Sequence, residues 1–176
     1  MSNENENENE QLTCDERIDA QRDLTDETIR AAIDAGSFYE LGLGLSWSMT
    51  HVDGRTMLAL IWQLSWGGPS DEVQMVFRPS MLDNTGNEEP LYMPADQAIR
   101  IDYVFKDWYD GARIGASDIM IERMKEFCER CPITPDVYEN LLAELEYEDE
   151  RRRLNINTRH RETRRRELVA NPGTQQ

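Results

Sequence analysis

The chain has 176 residues, room for one ordinary domain and too few for two of typical size. Acidic side chains outnumber basic ones 35 to 19, a formal charge of −16, so its field repels nucleic acid and attracts basic protein surfaces. There is no run of about 18 apolar residues, and no basic-then-apolar leader follows Met1, so neither a membrane span nor a signal peptide is expected and the cytoplasm is the expected compartment.

The first stretch is polar, with Asn-Glu repeated from Asn3 to Glu10, and offers no apolar face to bury. It predicts a disordered acidic leader over 1–24. Order is expected to begin at Thr25, where LTDETIRAAIDAG has a capping hydroxyl, acids in its first turn, Ile29 and Ile33 four apart, and Gly36 as a stop. From Phe38 the period changes to two. Leu41, Leu43, Leu45, Trp47 and Met49 share one face, and Gly42, Gly44, Ser46 and Ser48 the other, a strand with one bare side.

Asp53-Gly54 is a hairpin signal, and TMLALIWQLSW after it alternates with apolar residues on both faces, as a central strand does. Beyond the SWGGPSDE turn, Val73, Met75 and Phe77 alternate up to Pro79, and Ile99, Ile101, Tyr103 and Phe105 alternate in a fourth strand. Ser117 caps SDIMIERMKEFCERC, with Met120, Met124, Phe127 and Cys128 on one stripe, and Pro132 ends it. Thr134-Pro135-Asp136 opens a second helix, with Val137, Tyr138, Leu141, Leu142 and Leu145 as its apolar side.

The predicted fold is α+β: a four-stranded antiparallel meander with one N-terminal helix and two C-terminal helices packed on the face of Leu58, Leu60, Trp62 and Leu64. The predicted organisation is a leader over 1–24, one domain over 25–150 and a basic tail over 151–176, frayed or disordered. That tail holds eight arginines against Glu162 and Glu167, a net +6 that leaves −22 on residues 1–150. No aromatic residue is interleaved with these arginines for base stacking, and the acidic body competes for them, so the intact chain is not expected to bind nucleic acid. With two lysines against 17 arginines, the acidity is also the composition of a protein hydrated in a salt-loaded cytoplasm.

The chemical candidates are few. The glycines at 67 and 68 do not form a phosphate loop, because a strand follows them, and Asp71 and Glu72 stand where a cation would be needed. Cys128 and Cys131 have metal or redox spacing, but only Cys14, His51 and His160 remain to complete a site. They are set down as core thiols of a reducing compartment, and no metal, cofactor or catalytic constellation is assigned. In a meander, the GGPSDE turn and the DWYDGA end of the fourth strand fall at one edge, which makes Trp66, Gly67, Gly68, Pro69, Asp71, Glu72, Asp107, Trp108 and Asp110 the candidate binding residues. The bland alternative is that the indoles are buried and the aspartates form turns and caps.

LSWGGPSDEVQMVF together with IDYVFKDWYDGA resembles a pattern in small uncharacterised proteins of phages, archaeal viruses and plasmids, over roughly residues 56–112. The resemblance marks Ser65, Gly67, Gly68, Pro69, Asp107 and Trp108, and it implies a mobile-element origin without a mechanism. Combined with the acidic body, it yields an expected function: a non-enzymatic accessory protein of a virus or mobile element that binds a basic surface of a host protein, as an anti-defence or nucleic-acid-mimicking inhibitor. The alternative is a small metal-dependent hydrolase or nucleotide-processing enzyme using Asp71, Glu72, Asp107 and Asp110.

Overall fold

The computed structural model describes residues 13–65, 69–82, 89–108 and 110–170. In chain order these form α1 (Cys14–Asp34), β1 (Gly44–Val52), β2 (Arg55–Gln63), β3 (Pro69–Phe77), β4 (Arg100–Asp107), β5 (Asp110–Gly115), α2 (Asp118–Arg130) and α3 (Pro135–Ala170). The class is α+β with an antiparallel sheet. Its strand order, β1-β2-β3-β4-β5, is that of a simple meander.

The sheet has five strands, not four. Asp107 pairs with Asp110 across residues 108 and 109, and β5 returns along β4 with Phe105 opposite Ala112 and Tyr103 opposite Ile114. Trp108 has φ of 53°, the left-handed backbone that tight hairpin turns require. That conformation is usually signalled by Asn-Gly or Asp-Gly, and here the turn carries neither signal. Gly111 and Gly115 further dilute the strand pattern of DGARIG.

Helix α1 opens at Cys14, not at Thr25, so part of the segment expected to be a disordered leader is helical. Its start is a capping box: Thr13 Oγ1 accepts from the Glu16 N–H at 3.4 Å, and Glu16 Oε2 accepts from the Thr13 N–H at 2.8 Å. The buried stripe is Cys14, Ile18, Thr25, Asp26 and Ile29. Ahead of Thr25 only Cys14 and Ile18 are buried, too few to show a period in the sequence. At the other end, α3 begins with Pro135 and its backbone stays helical through Ala170. Among the described residues, no helix is long and apolar enough to cross a membrane.

All three helices contribute to one apolar cluster with one face of the sheet: Trp47, Leu58, Leu60, Trp62, Val73, Met75, Phe77, Tyr103 and Phe105. Trp62 meets edge-on both Phe127 of α2, with ring centroids 5.2 Å apart, and Phe38, at 5.6 Å, which stack on each other. Leu64 packs against this cluster partly buried. The other face contributes nothing to it. Its residues are tied laterally: Lys106 donates to Glu72 at 2.7 Å, Thr50 to Gln74 at 3.2 Å, and Arg113 to Gln74 and to Asp102, both at 2.7 Å.

Candidate functional site

The edge at which sequence reasoning placed a site exists. Pro69 is registered opposite Asp107 and Asp107 opposite Asp110, so the start of β3 and the β4–β5 turn share one rim. Trp66, Gly67 and Gly68 lie outside the described residues. Pro69 is exposed at the head of β3.

Asp71 points into the core. Its Oδ2 accepts from the Tyr103 hydroxyl at 2.8 Å and from Thr25 Oγ1 at 3.0 Å, and its Oδ1 accepts from the Ser65 hydroxyl. The Asp71 N–H donates to Ser65 Oγ at 3.0 Å, so the two residues clamp the hairpin between β2 and β3 from both sides. Burial pushes the Tyr103 phenol well above its ordinary value, with the Asp71 charge adding to the rise, so Tyr103 stays a proton donor. Glu72, the next residue on an alternating strand, faces the opposite way and accepts from Lys106 and Gln74.

Asp107 and Asp110 hold the first turn of α1. Asp107 accepts from Arg17 Nη1 at 2.6 Å, while the same guanidinium lies 4.9 Å from the Phe105 ring centroid. Asp110 accepts from the N–H of Cys14 at 2.7 Å and from that of Gly111 at 2.8 Å. Those two backbone donors, Cys14 first, hold its carboxyl below the ordinary range. Of the candidate acids, Asp71, Glu72, Asp107 and Asp110 are therefore all engaged within the fold. Among the described residues, no three His, Cys, Asp or Glu side chains group as metal ligands.

Trp108 is different, because its side chain is left in solvent at 80% exposure on the tip of the β4–β5 turn. Helix α1, to which this turn is tied by Asp107 and Asp110, carries a feature that the sequence reading missed. Glu16, Asp19, Asp23 and Glu27 are all exposed and spaced three or four apart, so they form one ridge along α1. Arg22, 3.2 Å from both Asp19 and Asp23, partly offsets it. Helix α2 adds exposed Asp118, Glu122 and Glu129, and α3 adds Asp136, Glu139, Glu146 and Glu150. The signal for the α1 ridge lay in Thr13-x-x-Glu16, a capping box that starts a helix inside a segment that otherwise reads as polar filler.

The thiols are quiet. Cys128 is buried, donates to the Met93 carbonyl at 3.2 Å, and is pushed up to about 11 by burial. Burial also raises Cys14 and Cys131. All three are free cysteines. Comparison with protein-family models, with curated proteins and with solved structures finds no match.

Proposed function

We propose that this is a non-enzymatic acidic binding protein of a virus or mobile element that engages a basic surface of a host protein through its helical layer, with Trp108 as the anchor. The observation that carries the reading is the exposed indole of Trp108 on a turn tied through Asp107 and Asp110 to the first turn of α1, the helix that carries the acidic ridge. Interfaces concentrate their energy in aromatic anchors, and a rim of charge around such an anchor steers the encounter. The ridge carboxylates recur about every 5–6 Å along α1 at 1.5 Å rise per residue. That is a sparser version of the roughly 3.4 Å phosphate spacing per strand of duplex, which supports an inhibitor that occupies a nucleic-acid groove. A metal-dependent hydrolase draws no support from the rim, because Glu72 faces away from Asp71 and the other two acids are tied to α1.

A pull-down from host lysate at low and high salt tests this, comparing wild type with Trp108→Asn, which keeps a residue tolerant of positive φ at the turn. A basic protein should be retained at low salt, released at high salt, and held at least about tenfold more weakly by Trp108→Asn. Retention that is indifferent to both changes defeats the proposal.

A further inference from the structure

The acidity of this protein makes a concentration of arginines at one cavity conspicuous. Arg55 at the start of β2, Arg78 just past β3, Arg100 at the start of β4 and Arg152 on α3 all line a cavity of about 830 Å³. Met57 and Ile99 are part of its apolar wall, and a second hollow of about 620 Å³ shares Arg78 and Ile99 with it. The cavity lies at the end of the sheet marked by the β1–β2 hairpin, where Val52 pairs with Arg55, away from the Trp108 rim.

Four guanidinium groups brought to one cavity repel one another unless counter-charge is supplied. The chain supplies little. Asp53 reaches Arg100 at 3.6 Å but is 86% exposed, so solvent screens the pair. Asp102 accepts from Arg100 at 2.7 Å but is shared with Arg113, also at 2.7 Å, leaving one carboxylate between two cations. Arg152 spends its Nη2 on Thr56 Oγ1 at 2.8 Å and on the Gly54 carbonyl at 3.3 Å, both neutral acceptors. The side chains of Arg55 and Arg78 have no hydrogen-bond or ion-pair partner among the described residues.

We infer that this cavity binds a small phosphate-bearing ligand. Guanidinium is the side chain suited to phosphate: it is planar, permanently charged, and presents parallel N–H donors that match two phosphate oxygens. A volume of this order suits a ligand of metabolite size, with the polar groups setting orientation and the apolar wall covering an uncharged portion. Arg55 and Arg78 supply the uncommitted forks. Arg100 and Arg152, fixed by Asp102 and Thr56, supply preorganised charge. This site lies at the opposite end of the sheet from Trp108 and the α1 ridge tied to that end, and either can stand without the other.

The test is thermal unfolding of the full chain at fixed ionic strength with pyrophosphate, a nucleoside diphosphate, malonate or chloride. The variants are Arg55→Gln/Arg78→Gln and Arg30→Gln, the latter an exposed cation of α1. Pyrophosphate or the nucleoside diphosphate should raise the wild-type Tm by about 5 °C at a hundredfold excess over Kd. Arg30→Gln should keep the rise and the double variant should lose it. A larger rise with the nucleoside diphosphate assigns the apolar wall to the organic part of the ligand, and equal rises assign the cavity to the phosphates alone. No rise, a rise equalled by malonate, or an equal rise in the double variant overturns the inference.

Discussion

Asp110 uses one carboxylate to finish two pieces of backbone, the N–H at the start of α1 and the N–H that leads into β5. Backbone donors favour the ionised form, so its folded pKa lies below the ordinary value of about 3.9. A depressed carboxylate contributes stability that is fully present above the unfolded pKa and is lost as pH falls through the folded one. Asp110→Asn keeps an acceptor oxygen and removes the charge. Urea unfolding should therefore show wild type ahead of Asp110→Asn at pH 6, with the gap closing below about pH 4. A gap that stays constant down to pH 3 would mean the charge plays no part. The sequence did single out Asp107 and Asp110, by their place at a strand end. What it could not supply was their partners, because Arg17 and Cys14 are about ninety residues away in a segment that lacks an apolar period.

The elements that the sequence made legible are those whose core-facing positions are nearly all apolar. In β2, β3 and β4, Leu58, Leu60, Trp62, Val73, Met75, Tyr103 and Phe105 alternate cleanly, and in α2 Met120, Met124, Phe127 and Cys128 hold helical spacing. The elements that escaped bury too few residues to set a period: the first half of α1 buries only Cys14 and Ile18, and β5 fully buries only Ala112. A related limit affects Gly42, which sequence reading placed on the bare side of a strand. It lies before β1 at φ +85°, where an added Cβ would meet the Gln63 carbonyl at 2.7 Å and Trp62 Nε1 at 2.8 Å. Backbone conformation and close approach both demand glycine there. Gly42→Ala should destabilise the fold by about 2–3 kcal/mol in urea unfolding. Gly111→Ala, whose nearest contact is an ordinary 3.6 Å, should stay within about 0.5 kcal/mol. Similar losses in both variants would contradict the close-approach argument.

Across the molecule, charge divides by layer. The helices carry exposed acids up to Glu150, beyond which α3 turns basic, while the opposite sheet face carries Lys106, Arg113, Arg100 and Arg55 around the buried carboxylates of Glu72 and Asp102. Net charge was plain from composition. Its division was not: alternation marked the apolar face that the helices cover, but the ion pairs that gather the cations on the other face join residues from different strands. An undivided surface of this charge would interact diffusely, whereas a divided one presents a specific side to a cationic partner. The salt dependence of binding to the basic protein retained in the pull-down tests this most directly, measured for wild type and for Asp19→Asn/Asp23→Asn/Glu27→Gln. The account predicts a steep loss of wild-type affinity between about 50 and 200 mM salt and a shallower slope when the α1 ridge is neutralised. Equal slopes for the two proteins would contradict it.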